Sequence, residues 1–155
     1  MIQLIRVDDR LLHGQVAYSW KAELGYEAIV IVSESAAKDD LRKAAIKMAK
    51  PEGVKLAIRN LSDAIELLNN EKLKHLKVFV VTDTINEANK LLHGINETPI
   101  LNIGGIQKEE GKEPLTSYAY GTTEDRQLLK SLNEEGYKVE FRLVPSDKPK
   151  LISEL

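Results

Sequence analysis

Short apolar runs rich in Val and Ile alternate along the whole chain with longer segments of helical periodicity. Several runs are apolar almost throughout, as in "AIVIVS" (28–33) and "KVFVVT" (77–82), which is typical of strands that are covered on both faces in a parallel sheet. Strands and helices in this order favour a parallel α/β sheet with right-handed crossovers. The predicted strands are 2–7, 28–33, 54–59, 77–82, 100–104 and 138–144, and the predicted helices are 14–24, 36–48, 62–70, 85–93 and 123–135.

These elements predict one α/β domain over residues 1–155, with three layers: a mainly parallel central sheet and helices on both faces. A chain of 155 residues is long enough to bury a hydrophobic core of its own. The stretch "IQKEEGKEPLTSYAYG" (106–121) breaks the alternation. It could hold a short hairpin or an edge strand, so we expect a mixed sheet.

Composition excludes several function classes. The 22 Lys and Arg residues against 24 Asp and Glu residues give a formal net charge of −2, so bulk electrostatics do not attract nucleic acid. The chain has no cysteine, which removes disulfides, Cys-ligated zinc and thiol catalysis. No apolar run approaches the roughly 18–20 residues that span a bilayer, and the N-terminus lacks the flanks of a signal peptide. We therefore expect a cytoplasmic protein that is not inserted in the membrane.

The stretch "RVDDRLLHGQV" (6–16) places charged residues and a histidine directly after the first predicted strand. In open α/β sheets, ligands bind where strands end and helices begin. His13 and Gly14 fall at the start of the next helix, where free backbone N–H groups and the helix dipole favour an anion. Gly14 also allows the backbone to approach a ligand closely.

The side chains of this loop suit phosphoryl transfer. The neutral imidazole of His13 can act as a nucleophile, and Asp8 could accept the ring N–H and leave the other ring nitrogen free. Arg10 and Arg6 could each bind phosphoryl oxygens through a guanidinium that stays charged. Phosphoryl transfer depends chiefly on such positioning and charge stabilisation.

Other interpretations of this loop remain open at the level of chemistry alone. The charged cluster could be a salt-bridged loop beside a solvated histidine, or the anion-binding loop of a non-catalytic regulatory module that uses residues 8–15. A small hydrolase or phosphatase could use Asp8 or Asp9 as its nucleophile. A metal site is disfavoured, because Asp8, Asp9 and His13 have no second histidine at a ligand-like spacing.

Four further features favour structural roles. His75 lies at a lysine-rich helix end or turn, and His93 lies near a helix C-terminus, where a partly charged ring is stabilising. The "NIGG" segment (102–105) lacks the spacing of a dinucleotide loop or a P-loop. We interpret it as a turn that needs positive φ rather than as an anion site. Trp20 is predicted to lie in the core.

The stretch 6–16 resembles the signature R-[IV]-D-D-R-L-[IL]-H-G-Q-V of a known family. That family is the IIB component of the mannose/fructose/sorbose class of the bacterial phosphoenolpyruvate-dependent sugar phosphotransferase system (PTS). The resemblance continues through "IVIVSESAAKDDLRKAAIKMAKPEGVKLAI", "KVFVVTDTINEANKLLHG", "LNIGGI" and "LNEEGYKVEFRLVPSDK", so it covers nearly the whole chain. The segment 112–122 matches poorly, and a proline is expected near Thr84.

The resemblance implies a role for each residue of the loop. His13 would be the phosphorylated residue, Arg10 would clamp the phosphoryl group, and Asp8 would orient the loop or the ring. Gly14 and Gln15 would complete the loop, whereas Arg6 and Asp9 could be structural, for example in a salt bridge. The sequence leaves open which ring nitrogen of His13 carries the phosphate.

The resemblance also implies partners, an enzyme class and a fold. His13 would receive the phosphoryl group from phospho-IIA and pass it to a sugar held by the membrane components IIC and IID. The class would be protein-Nπ-phosphohistidine–sugar phosphotransferase, with no metal and no diffusible cofactor. The protein would be cytoplasmic and peripheral to the inner membrane through IIC/IID. The implied fold is a mainly parallel sheet flanked by helices, with an antiparallel edge.

Overall fold

A computed structural model describes residues 1–155 and contains one large mixed sheet beside a small hairpin. The strands are β1 (Ile2–Val7), β2 (Ala28–Val32), β3 (Lys55–Arg59), β4 (Val78–Thr82), β5 (Leu101–Ile103), β6 (Glu113–Pro114), β7 (Tyr120–Gly121), β8 (Val139–Phe141) and β9 (Lys150–Leu151). The large sheet has seven strands in the order β3-β2-β4-β1-β5-β8-β9. All its neighbours are parallel except β8 and β9, which pair antiparallel.

Helices cover both faces of this sheet. They are α1 (Gly14–Leu24), α2 (Glu34–Ala37), α3 (Asp40–Ala49), α4 (Leu61–Leu68), α5 (Ile85–Gly94) and α6 (Thr123–Glu134), with short 3₁₀ turns at Glu71–His75 and Ile152–Glu154. Two buried apolar clusters divide the core. One packs the sheet against α4, α5 and α6 through residues such as Val80 and Leu91, and the other packs it against α1, α2 and α3 through residues such as Phe79 and Ile46. The predicted three-layer α/β architecture is confirmed.

Helix α1 follows the prediction closely. Trp20 is fully buried and stacks on Phe79 with ring centroids 6.2 Å apart. The helix ends at Gly25, whose φ of +64° is left-handed and whose N–H donates to the Lys21 carbonyl, as expected of a glycine C-cap.

Two predicted elements differ from the structure, and one predicted alternative is confirmed. The predicted helix 36–48 is two helices, because Asp39 Oδ1 accepts the N–H groups of Leu41 and Arg42 and so begins α3. The short hairpin expected as one alternative for residues 106–121 is formed by β6 and β7 in a separate sheet, and the antiparallel edge of the main sheet is β9 at the C-terminus. Strand β8 ends at Phe141 rather than at residue 144, since the carbonyls of Arg142 and Leu143 bind a side chain from β1.

Candidate active site

The loop Asp8–His13 lies at the C-terminal edge of the main sheet, directly after β1. The Asp8 N–H donates to the Thr82 carbonyl at the end of β4 at 2.9 Å, and the Asp9 N–H donates to the Gly105 carbonyl after β5 at 3.0 Å. The loop is thus attached to both strands that neighbour β1. Its place between strand ends is where α/β sheets present ligand sites.

Within the loop, a tight turn holds the backbone in one conformation. Asp8 Oδ1 accepts the Arg10 N–H at 3.0 Å, and the Asp8 carbonyl accepts the Leu11 N–H at 2.9 Å. Leu11 has a φ of +58°, which is rare for a bulky residue. The side chains of Leu11 and Leu12 are buried in the core, so packing on both maintains this uncommon conformation.

His13 is the N-cap residue of α1, and its side chain is 18% exposed. Its Nε2 lies 3.1 Å from Asp8 Oδ2. A carboxylate oxygen can only accept, so the proton of the neutral ring belongs on Nε2. Nδ1 then carries the free lone pair and makes no hydrogen bond, which leaves a nucleophilic nitrogen available.

The Asp8 carboxylate lies between two cationic or donating groups. Its Oδ2 accepts from Arg6 Nη2 at 3.2 Å as well as from His13. Burial acts to raise the pKa of Asp8, but the hydrogen bond from His13 and the charge of Arg6 together outweigh it. The pKa of Asp8 therefore lies below its ordinary value, and the group is ionised at neutral pH.

Arg6 is fully buried, and its guanidinium is occupied by partners inside the protein. Nη1 donates to Asn102 Oδ1 at 2.7 Å and to the Arg142 carbonyl at 3.1 Å, while Nη2 donates to the Leu143 carbonyl at 2.9 Å. Burial lowers the pKa of Arg6, and the Asp8 charge partly opposes this shift. Since no face of the guanidinium is open, Arg6 holds Asp8 and is not placed to bind a phosphoryl group.

Arg10, Gly14 and Gln15 lie on the outside of the loop. All three are exposed, and the Arg10 side chain makes no hydrogen bond or ion pair. Gly14 has a φ of +36°, a region that favours glycine. Helix α1 has no side-chain cap and no acidic residue in its first turn. Its first N–H groups are therefore free to bind an anion.

Asp9 fastens the loop to the rest of the molecule. Its Oδ2 accepts the Gln107 N–H at 2.7 Å, and its carbonyl accepts from Arg42 Nη2 at 3.3 Å. This carboxylate is thus occupied by backbone. No group of three or more His, Asp or Glu side chains is arranged to bind a metal ion.

The features assigned to structural roles lie elsewhere. His75 is exposed in the 3₁₀ turn Glu71–His75, and His93 bonds the Asn89 carbonyl and Glu135. The prediction of a positive-φ turn in "NIGG" is wrong, because neither Gly104 nor Gly105 has a positive φ. Gly104 is needed for space, since a Cβ there would lie against the Arg6 guanidinium, 2.8 Å from Nη1.

Sequence reasoning missed the residues behind the loop. Asn102 and Glu140 are almost fully buried in β5 and β8, and Arg142 follows β8 with its Nε 3.0 Å from Glu140 Oε2. The signal was present in the sequence as polar residues inside short runs that are otherwise apolar. A buried polar side chain needs partners, but the run alone does not say which.

His13 does not lie in a cleft. None of the cavities of the molecule is lined by any residue of the 6–15 loop. A hydrolase would be expected to enclose its small substrate in a pocket. A partly exposed imidazole that lies outside any cleft is instead accessible to another protein.

Comparison with known protein families shows which family this chain belongs to and which of the functional alternatives is favoured. The family model described as the PTS system sorbose subfamily IIB component matches residues 2–155. The chain belongs to this family. It is therefore a phosphotransfer domain of the sugar phosphotransferase system that acts in sugar uptake, and the alternative of a non-catalytic binding module is not favoured.

Individual relatives agree with this family. The sorbose-specific EIIB component of Lacticaseibacillus casei is 37% identical over 95% of this chain and 90% of its own length. The mannose-specific EIIAB component of Escherichia coli K12 is 32% identical over 97% of this chain, which spans 46% of that relative. The crystal structure of the IIBSor domain of the Klebsiella pneumoniae sorbose permease has a TM-score of 0.92 at 29% identity, covering 98% of this chain and 93% of that one.

A IIB component works within the PTS together with IIA and IIC/IID components. In this IIB chain the longest helix, α6, has 12 residues. No helix combines the length and the apolar character needed to cross a bilayer.

Proposed function

We propose that His13 accepts a phosphoryl group from a phosphohistidine of IIA on Nδ1 and passes it to a sugar held by IIC/IID. Nδ1 is the Nπ atom of the ring, so the activity is that of a protein-Nπ-phosphohistidine–sugar phosphotransferase. The observation that carries this proposal is that the two nitrogens of the His13 ring have different environments. Nε2 is bound to Asp8 at 3.1 Å, whereas Nδ1 has no partner on an accessible loop.

In the first transfer, the Nδ1 lone pair of His13 attacks the phosphorus atom of phospho-IIA. The bond between that phosphorus and the donor imidazole breaks, and its electron pair returns to the donor ring. His13 becomes a phosphorylated imidazolium whose Nε2–H still bonds Asp8. The ionised Asp8 carboxylate stabilises this positive ring, since a charge-assisted hydrogen bond is stronger than a neutral one.

The phosphoryl group on His13 is held by groups outside the ring. The free N–H groups at the start of α1 and the positive end of its dipole favour the phosphate. Arg10 is the clamp in this proposal, because its guanidinium is exposed and unpaired, whereas that of Arg6 is buried and both of its terminal nitrogens are bound inside the protein. Gly14 and Gln15 contribute backbone at the helix start. The loop and the His13 ring are held in position by Asp8, Arg6 and Asp9.

In the second transfer, a hydroxyl oxygen of the sugar attacks phosphorus and the bond to Nδ1 breaks, which restores neutral His13 and releases the hydroxyl proton. Two large partners must reach the same ring in turn, which the open surface around His13 allows. We place this step at the cytoplasmic face of the membrane, with residues 1–155 acting as one functional unit. Relatives are named for sorbose, mannose and fructose, and one solved relative is named for N-acetylgalactosamine. The sugar is therefore proposed to be sorbose, mannose, fructose or an amino sugar.

The test is phosphorylation with phosphoenolpyruvate, the general phosphotransferase proteins and a cognate IIA. We expect one acid-labile, base-stable phosphate, carried on Nδ1 by ³¹P and ¹⁵N NMR. His13→Ala should abolish the label, and His75→Ala and His93→Ala should retain it. Equal labelling of His13→Ala would disprove the proposal, as would a phosphate on Nε2 for the ring assignment.

A further inference from the structure

A continuous chain of buried hydrogen bonds runs behind His13 across three strands of the sheet. From the Asp8 carboxylate it passes to Arg6, then from Nη1 of Arg6 to Asn102 Oδ1 at 2.7 Å. From Asn102 it continues through Nδ2 to Glu140 Oε2 at 2.8 Å. Asn102 and Glu140 are 0% and 2% exposed, so water does not replace any of these partners.

Strand register places these side chains side by side. Arg6 on β1 is the direct neighbour of Asn102 on β5, and Asn102 is the direct neighbour of Glu140 on β8. Residues in register on neighbouring strands point to the same face of a sheet. The indole of Trp20 on α1 packs on this row, with the guanidinium carbon of Arg6 5.4 Å and that of Arg142 5.1 Å from its ring centre.

Glu140 determines which way the Asn102 amide faces. A carboxylate only accepts hydrogen bonds and a guanidinium only donates them. Asn102 must therefore turn its NH₂ towards Glu140 and its carbonyl oxygen towards Arg6, and Arg142 Nε holds the same Glu140 oxygen at 3.0 Å. A reversed amide would set two donors against each other beside Arg6 and two acceptors beside Glu140.

We propose that Asn102 and Glu140 are positioning residues for phosphoryl transfer at His13, an inference that rests on the proposed function of His13. Neither touches the reacting atoms. They hold the Arg6 guanidinium, Arg6 holds Asp8 Oδ2, and Asp8 fixes the proton on Nε2 and presents Nδ1 to the partner. If the role of Asn102 and Glu140 were purely structural, replacing them would lower the stability of the fold and leave the His13 tautomer and the transfer rate unchanged.

Two variants test this role in the full chain. Asn102→Leu removes the three hydrogen bonds of this side chain, to Arg6, Glu140 and the Arg142 carbonyl, and keeps the same branching and number of heavy atoms. Glu140→Gln keeps shape but removes the charge that orients the amide. We expect each to slow transfer from phospho-IIA by about tenfold, less than the hundredfold that a 1 Å misplacement can cost. ¹⁵N NMR of the unphosphorylated protein should show the His13 ring changing from the Nε2–H form to a mixture of both tautomers.

Tyr137→Phe provides the control. The Tyr137 hydroxyl donates to the Leu92 carbonyl at 3.3 Å, so this change removes a hydrogen bond that belongs neither to the network nor to the loop. We expect it to leave the His13 tautomer and the transfer rate unchanged. If Asn102→Leu does not fold, Glu140→Gln gives the same two readouts with a smaller perturbation.

A second comparison tests whether the effect passes through Asp8. In an Asp8→Asn background, adding Glu140→Gln should slow transfer no further, because the link that transmits the effect is already lost. Variants that lose stability but keep the wild-type tautomer and rate would overturn the inference and leave the proposed function intact. Failure of the proposed function would show separately, as unchanged labelling of His13→Ala, while the tautomer measurement would still report on the network.

Discussion

Asp8 is the residue on which most interactions of the site converge. It receives the ring of His13, the guanidinium of Arg6 and the backbone N–H of Arg10. Each interaction favours the ionised carboxylate, and removing one partner of a buried ion pair is costly, typically about 3–5 kcal/mol. In the proposed function, the reactivity of His13 therefore depends on Asp8, a buried carboxylate.

At the residue scale, Gly104→Ala should disturb the candidate site by displacing the buried Arg6 side chain. A methyl group there would collide with the Arg6 guanidinium, which would have to move away from Asp8. We expect a lower free energy of unfolding and slower phosphorylation of His13, measured by urea unfolding and by the transfer assay.

Gly105→Ala is the matched control for this change. Its new Cβ would meet only Leu143 Cδ1, at 3.9 Å, which is an ordinary contact. Both glycines lack positive φ, so alanine strains neither backbone. Equal effects of the two substitutions would contradict the explanation through Arg6.

At the scale of elements, an exposed hydrogen bond between His93 on α5 and Glu135 at the end of α6 joins the two helices. His93 Nε2 lies 2.8 Å from Glu135 Oε2, and Nδ1 lies 2.8 Å from the Asn89 carbonyl. The hydrogen bonds to Glu135 and then to the Asn89 carbonyl raise the pKa of His93 above 6.5. The Tyr137 ring lies at a steep angle to this imidazole, with the ring centroids 5.8 Å apart.

The raised pKa of His93 predicts a pH-dependent contribution to stability. The charged ring stabilises the fold fully at pH values below its unfolded pKa of about 6.5, and this contribution disappears as the pH rises through the higher folded value. For so exposed a pair the contribution should be below about 1 kcal/mol. Urea unfolding of wild type and His93→Gln should differ at pH 5.5 and converge at pH 8.5.

His75→Gln is the control for the pH series, because His75 is exposed and makes no hydrogen bond. It should follow the wild type at both pH values. A difference between wild type and His93→Gln that stays constant with pH would show that the ion pair does not cause it.

At the scale of the whole molecule, the outer side of β3 is one of the two edges of the large sheet, and the short strand β9 forms the other. A cleft of about 430 Å³ beside it is lined by Leu56, Ile58 and four cationic side chains, Lys43, Lys47, Lys50 and Arg59, with no carboxylate. Free edges tend to pair with other strands, and lysines along them oppose this pairing. We interpret this cationic cleft as protection of the edge against a second copy of the chain.

Replacing Lys43, Lys47 and Lys50 together by glutamine should weaken that protection. We expect concentration-dependent association of the variant in sedimentation velocity, and none of the wild type under the same conditions. A control variant with Lys130, Lys138 and Lys148 replaced by glutamine removes the same number of charges from exposed positions outside the cleft. Association of both variants to the same extent would assign the effect to net charge instead of the edge.

The sequence by itself determined the layered α/β fold, the place of the loop after β1 and the buried position of Trp20. These features depend on periodicity and on the chemistry of neighbouring residues, which the chain order contains. The same local information predicted that residues 6–15 form one site. Residue chemistry alone could not separate Arg6 from Arg10, because both are arginines beside the same carboxylates. The resemblance to the family favoured Arg10 as the clamp and a structural role for Arg6.

Only the tertiary structure decided which arginine is buried, which nitrogen of His13 is free and why Gly104 is a glycine. The burial of Arg6 depends on Asn102 in β5 and on the Arg142 carbonyl after β8, 96 and 136 residues away along the chain. Gly104 is a glycine because Arg6, from the distant strand β1, lies against it. The free nitrogen of His13 follows from the folded position of Asp8, whose carboxylate lies 3.1 Å from Nε2. Strand order brings β1, β5 and β8 together, and short runs of sequence do not specify that order. Partners across a sheet are chosen by packing and register, so long-range hydrogen bonds are the part of a site that sequence patterns leave open.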